Sequence, residues 1–222
     1  MRGRTVSRQT LGRLPVYLNR LRELPDPNGN ISATMLAASL RLNDVQVRKD
    51  LAAISDGGRP KTGYRVCSLI TDIEHFLGYD NTDEAVLVGV GNLGRALLSY
   101  KGFERCGVHI VAAFDTREDL AGTYIAGREV FPASELQRLC RRMKIRLGII
   151  AVPSSSAQNV CEELLDGGVL AVWNFAPVRL EAPENVLVQN ENMASSLAVL
   201  SQHLASRISE ETEFGREGLL RE

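Results

Sequence analysis

The residues best suited to chemistry are three glycines and one aspartate. Gly89-Val90-Gly91-Asn92-Leu93-Gly94 follows a short apolar run, Ala85 to Val88, and a helical pattern from Arg95 to Tyr100 comes directly after it. A buried strand that turns into a helix through G-x-G-x-x-G is the pattern of a pyrophosphate site. Gly89 permits the tight turn, Gly91 lets the backbone approach phosphate, and Gly94 lets helix and strand pack closely. The helix N-terminus adds unpaired N–H groups and the positive end of its dipole. A second apolar run, His109 to Phe114, ends in Asp115, 21 residues after Gly94, where a ribose-binding carboxylate belongs. A third, Leu147 to Val152, leads into a helix at Ser154–Ser156. The competing reading is an α/β domain whose glycines serve turns alone. Asp115 favours NAD(H), since a carboxylate hydrogen-bonds a 2′-hydroxyl and repels a 2′-phosphate. Arg117, two residues on, is of the type that accommodates such a phosphate.

A dehydrogenase also needs a proton donor or acceptor beside the nicotinamide. His75, His109 and His203 all fall away from the carboxyl ends of the expected strands, and Tyr100 has no evident partner in sequence. Binding without turnover is the expectation. An NAD-dependent oxidoreductase with an accessory N-terminal domain is the main alternative. A CoA- or nucleotide-binding regulatory module is a second one, because similar glycine loops hold CoA. Cys67, Cys106, Cys140 and Cys161 have no C-x-x-C spacing and suit free thiols better than zinc or disulfides.

The elements that must position these residues follow from periodicity. After Asp115, Ala133 to Lys144 reads as a helix, Leu147 to Val152 as a strand and Ser156 to Leu165 as a helix ended by Gly167-Gly168. Leu170 to Trp173 is a strand closed by Asn174-Phe175-Ala176-Pro177, at the edge where open α/β sheets bind ligands. Val186 to Gln189 is a last short strand. Met193, Leu197, Leu200 and Leu204 make the stripe of a final helix, with a frayed charged tail from Glu210.

Upstream, charge changes sign. Residues 1–65 carry 12 Lys and Arg against 5 Asp and Glu, whereas the remainder carries 14 against 22. A basic module joined to an acidic one suggests that the first meets a polyanion. Leu11, Leu14, Leu18 and Leu21 predict a first helix starting between Thr10 and Pro15, with the proline tolerated in the first turn. Ser32 caps a second helix bearing Met35, Leu36 and Leu40, and Asn43 caps a third, Asp44 to Ile54, with Val47, Leu51 and Ile54 buried. That pair fits a helix-turn-helix, a small helical dimerisation module being the plainer alternative. Ser32, Gln46, Arg48 and Lys49 form the candidate DNA-contacting face, and Arg59 and Lys61 stand in a glycine-rich loop that could be a wing. An amphipathic helix from Val66 stops at Gly78. The expected domains are 1–80, 81–190 and 191–222. No apolar run reaches the roughly 20 residues of a membrane span, and the N-terminus lacks a signal-peptide core, so a cytoplasmic protein is expected.

Together, Val47-Arg48-Lys49-Asp50-Leu51, Gly63-Tyr64, Val88 to Ala96, Phe114-Asp115, Val152-Pro153 and Asn174-Phe175-Ala176-Pro177 resemble the Rex family of redox-sensing transcriptional repressors. The resemblance runs from about Arg13 to His203. It implies a homodimer with an N-terminal winged helix, a Rossmann domain and a C-terminal helix swapped between subunits. Such a repressor holds a palindromic operator when NADH is scarce and releases it as the NADH/NAD⁺ ratio rises. By the same resemblance Arg48 and Lys49 face the operator, Gly89 to Gly94 hold the pyrophosphate, and Tyr100 acts near the nicotinamide and in the switch. Pro153 and Phe175 line the pocket, and Met193 keeps it apolar. Family members commonly have arginine where Asn19 stands and aspartate where Asn192 stands, a pair that meets across the dimer. The wing, Ala53 to Lys61, also departs from the family's Phe- and Gly-rich run.

Overall fold

The computed structural model describes residues 5–81 and 83–219, without the side chains of 193, 196 and 209–219. The chain divides into two compact units. One comprises residues up to 82 together with Lys101–Val108; the other comprises Asp83–Tyr100 and everything from His109 onward.

In the first unit, α1 (Arg8–Arg22) starts earlier than periodicity suggests, because Ser7 caps it: its Oγ accepts from the Thr10 amide at 3.1 Å. Pro15 therefore lies inside the helix rather than in its first turn, where it removes one backbone donor. Leu11 is exposed, and Tyr17 joins Leu14, Leu18 and Leu21 on the buried face instead. A short strand β1 (Asn30–Ile31) precedes α2 (Ala33–Leu40), capped by Ser32, and α3 (Asp44–Ile54), capped by Asn43. Arg41 takes the left-handed conformation (φ 55°) that turns one helix into the next. β1 pairs antiparallel with β2 (Tyr64–Arg65), and the loop between α3 and β2 ends in a tight hairpin closed by mutual 2.9 Å hydrogen bonds between Arg59 and Gly63. α4 (Val66–Leu77) ends at Gly78, whose φ of 73° only glycine adopts without strain. Leu14, Tyr17, Leu18, Leu36, Val47, Leu51, Leu69 and Ile73 fill the core between these helices.

The second unit is built on β3 (Asp83–Val88), α5 (Asn92–Ser99), β4 (Val108–Asp115), β5 (Tyr124–Ile125), β6 (Arg128–Pro132), α6 (Leu136–Met143), β7 (Leu147–Ile150), α7 (Ser154–Asp166), β8 (Ala171–Asn174) and β9 (Leu187–Asn190). The sheet order is β5-β6-β4-β3-β7-β8-β9. β6 is parallel to β4, β7 to β3, β8 to β7 and β9 to β8, whereas β5 turns back antiparallel on β6. Leaving β5 aside and counting from β3, that is the order 3-2-1-4-5-6 of a dinucleotide fold, with the direction of winding reversing between β3 and β7. Val86, Val88, Ala112, Phe114, Leu136, Leu139, Ile150, Ala157, Cys161 and Leu164 make its core. α8 (Met193–Leu219) continues as helix through the stretch where a frayed tail is expected. No helix among the described residues is long and apolar enough to cross a membrane.

Candidate functional site

Ligands of doubly wound sheets bind in the crevice outside the strand ends at the switch point, here between the ends of β3 and β7. Each glycine of the loop has a distinct place there. Gly89 has φ 96°, and a Cβ on it would come within 2.5 Å of the Ala151 carbonyl oxygen. A Cβ on Gly94 would collide with the Gly89 carbonyl oxygen. A Cβ on Gly91 would meet nothing within 4 Å. Two glycines thus serve packing, and the third faces open space at the start of α5. A pyrophosphate fits this cradle, because Gly91 and Asn92 are exposed, Leu93 is partly exposed, and the first turn of α5 has donors that no helical carbonyl takes.

Asp115 ends β4 and closes one side of the cradle. Its Oδ2 accepts from the Val90 amide at 2.7 Å and its Oδ1 from the Arg117 amide at 3.0 Å. The Arg117 guanidinium donates from Nε to Asp115 Oδ1 at 3.3 Å and from Nη2 to the Val90 carbonyl at 3.0 Å. Burial alone would raise this carboxyl, but the two amides and the guanidinium outweigh it and hold it below the usual carboxylate value. The carboxylate is therefore ionised and fixed in orientation at the end of β4.

On the other side, Pro153 precedes the first residue of α7 and is exposed, and Phe175 follows β8 half-buried. The Phe175 amide bonds the Ile150 carbonyl at 2.9 Å, and its ring lies 4.8 Å from that of Trp173. Asn174, fully buried, holds this corner. Its Nδ2 donates to the Val178 carbonyl (2.7 Å), the Asn190 carboxamide (2.9 Å) and the Ala176 carbonyl (3.3 Å), and its Oδ1 accepts from the Ala176 amide at 2.9 Å. A buried amide with every partner supplied is rigid, so Asn174 is the residue that places Phe175. Sequence reading noticed Asn174 only as part of a strand-closing run.

In the first unit, Gln46, Arg48, Lys49, Arg59 and Lys61 are exposed. Arg48 pairs with Asp44 at 3.2 Å. The Gln46 carboxamide donates to Asp50 Oδ1 at 3.0 Å, so it leans on the helix rather than projecting freely. The Ser32 hydroxyl is occupied as an acceptor by the Met35 amide at 3.1 Å, which makes it first a cap. Asp50 stands in the Val47–Leu51 run with no role of its own legible in the sequence. It is 2 % exposed and takes hydrogen bonds from Thr10 Oγ1 (3.0 Å), Arg13 Nε (2.7 Å) and Nη2 (3.0 Å), and the Tyr17 hydroxyl (2.7 Å). The only available signal was a carboxylate in the buried register of α3, four residues beyond Gln46.

Tyr100 and the two asparagines are not gathered at the cradle. Tyr100 follows the last residue of α5, roughly 12 Å of helix beyond Gly91, and is 60 % exposed. Asn19 is exposed on α1. Asn192 caps α8, its Oδ1 accepting from the Ser195 amide at 3.0 Å. Met193 opens α8, but its side chain lies outside the described residues. On α8, Leu197, Leu200, Leu204 and Ile208 are all more than half exposed. Among the described residues no cluster of His, Cys, Asp and Glu is arranged to hold a metal ion.

Residues 80–178 match the family model described as CoA binding domain, and residues 5–52 match that of a putative DNA-binding protein N-terminus. The chain is 38 % identical over 202 residues to a redox-sensing transcriptional repressor Rex of Porphyromonas gingivalis, covering 90 % of this chain and 93 % of that one. It is 39 % identical over 198 residues to the corresponding repressor of Clostridium beijerinckii, covering 89 % and 94 %. Among solved structures, it is similar to RSP in complex with β-NAD⁺ and operator DNA, with a TM-score of 0.87, 31 % identity and 95 % and 98 % of the two chains covered. RSP in complex with β-NADH gives a TM-score of 0.83 at the same identity, covering 93 % and 98 %.

Proposed function

The chain belongs to the Rex family of redox-sensing transcriptional repressors, and on that premise we propose a division of labour among its residues. Residues 1–80 hold the operator, residues 81–190 read the nicotinamide dinucleotide, and residues 191–222 join two copies. The protein binds palindromic operator DNA as a homodimer when NADH is low and releases it when NADH binds. It acts as a cytoplasmic regulator and turns over no substrate.

The observation that carries this reading is the open face of Gly91 beside an oriented Asp115 carboxylate. Gly89 to Gly94 would cradle the pyrophosphate, with its donors coming from the first turn of α5, and Asp115 would take the adenosine ribose. Pro153 and Phe175 would border the nicotinamide. The bound group supplies one property: its ring is positively charged when oxidised and neutral when reduced. Apolar walls penalise a charge that they cannot hydrate, so Phe175, held by Asn174, favours the reduced form. Arg48 and Lys49 at the exposed N-terminal half of α3 would meet bases and phosphates, with Arg59 and Lys61 on flanking phosphates. Tyr100, exposed and a helix away from its own cradle, would act at the partner's site. Asn19 and Asn192, exposed amides where the family pairs charges, would meet across the dimer as a hydrogen bond.

For NADH to release DNA, it must prefer a dimer whose recognition helices are wrongly spaced for two half-sites one turn apart. Operator then weakens NADH binding by the same factor. Fluorescence anisotropy of a labelled palindromic duplex, titrated with NADH and with NAD⁺, tests the whole scheme. Release by NADH at concentrations where NAD⁺ does little is the expected result. Operator binding indifferent to both nucleotides overturns the sensing role, and steady oxidation of NADH by a carbonyl substrate would restore the oxidoreductase.

A further inference from the structure

We propose that Arg117 lets this site accept the 2′-phosphorylated dinucleotide NADPH as a second effector, an inference that rests on the dinucleotide reading above. A lone carboxylate at the end of β4 selects against NADP(H) because it repels the extra phosphate. Here that carboxylate is not alone. The Arg117 guanidinium lies 3.3 Å from Asp115 Oδ1 and also holds the Val90 carbonyl at 3.0 Å, so the carboxylate belongs to a compensated pair instead of standing as a lone negative charge. Arg117 is half exposed at 49 %, against 10 % for Asp115, and it forms the outer layer over the carboxylate.

Donor arithmetic points the same way. A guanidinium presents five N–H donors. Nε and one hydrogen of Nη2 are engaged by Asp115 and Val90, which leaves the second hydrogen of Nη2 and both of Nη1 for an incoming acceptor. A phosphate on the 2′-oxygen is such an acceptor, and arginine meets it with planar, charge-assisted bonds. Asp115 loses none of its orientation if the guanidinium swings outward, because the Val90 and Arg117 backbone amides still hold both its oxygens. Glu118 and Asp119 follow on the adjoining 3₁₀ turn and oppose a dianion, so NADPH remains the weaker of the two ligands.

The test is isothermal calorimetry of the full chain with NADH and NADPH separately, in the wild type and in Arg117→Ala, backed by operator release read by anisotropy. In the wild type, NADPH should bind within about thirty-fold of NADH and release operator, since one charge-assisted contact offsets much of the carboxylate's repulsion. Arg117→Ala should weaken NADPH by about tenfold or more while NADH changes by less than about threefold, the loss being that of one charged hydrogen bond. Arg117→Lys, which keeps the charge without the fork, should fall between them and serves if the alanine variant does not fold. A wild-type gap above about a thousandfold, or a gap that both substitutions leave unchanged, overturns the proposal. Failure of the wild type to bind NADH would instead sink the dinucleotide reading, and this inference with it.

Discussion

Two aspartates, one in each unit, show how the same side chain is put to opposite uses. Asp50 is sealed inside the helical unit and satisfied by four side chains, three of them on α1. Asp115 ends β4 and is held by two backbone amides and by the Arg117 guanidinium, all from residues beside it in the loop or the chain. Both are ionised, and each has a carboxyl held below the ordinary range: burial alone would raise both, and hydrogen bonds overcome it. A carboxylate surrounded by side chains from another helix fixes the angle at which that helix stands. A carboxylate held by backbone keeps its remaining acceptor capacity for a ligand. The difference teaches that burial and donor type, more than acidity, separate the structural aspartate from the one proposed to bind ribose.

The comparison breaks most visibly at Asp50. Asp50→Ala leaves Arg13 and the Tyr17 hydroxyl without their acceptor, and removing one partner of a buried ion pair costs about 3–5 kcal/mol. Thermal melting should show the helical unit strongly destabilised and operator binding lost, while calorimetry shows NADH binding retained. Equal loss of NADH binding would mean that the two aspartates do not divide the work as argued. Next in size is Asp115→Ala. It should weaken NADH by about 1.5–3 kcal/mol, the range for a hydrogen bond to a charged group, with operator affinity unchanged and release blunted. A melting temperature lowered as far as in the Asp50 variant would erase the distinction.

A sharper contrast lies within the glycine loop. Gly91→Ala has room for its Cβ and a φ of −73° that alanine adopts, so the unfolding stability should stay within about 0.5 kcal/mol of wild type. Its effect should appear in nucleotide affinity alone. Gly94→Ala drives a Cβ into the Gly89 carbonyl, so it should destabilise the fold itself, by about 1–3 kcal/mol.

The smallest effect expected is in pH. Both carboxyls have folded values below their unfolded ones, so each contributes stability that is present above about pH 4 and is lost as pH falls through its lowered folded value. Acid titration of the melt should show Asp50→Asn with a flatter acid limb than wild type. Tyr17, pushed up to about 12 mainly by burial and then by Asp50, stays protonated throughout and takes no part.

The Rossmann half could be read from the chain because its signals are local. Gly89, Gly91, Gly94 and Asp115 are defined by what lies next to them in sequence, and the strands around them are unbroken apolar runs. Asp50 was not legible, because its donors lie 33 to 40 residues upstream except for Gln46. The β5–β6 hairpin was missed for a different reason. Ala126 and Gly127 both adopt positive φ, 49° and 76°, as a two-residue hairpin turn requires. With alanine in the first position, the usual Asn-Gly or Asp-Gly signature is missing. Leu11 misled through spacing: it keeps the period of α1, yet Tyr17, with a hydroxyl that Asp50 can accept, is the residue drawn inside.

The exposed row Leu197, Leu200, Leu204 and Ile208 on α8 has a quantitative consequence. With residues 191–222 proposed to join two copies, this apolar surface stays in water until another copy covers it, and assembly becomes a matter of mass action. The fraction of chains able to span two half-sites then rises with the amount of protein present. Expression level thus becomes a second input beside the nucleotide: dilution alone should loosen the grip on DNA, and abundance should raise the dose of NADH needed to break it.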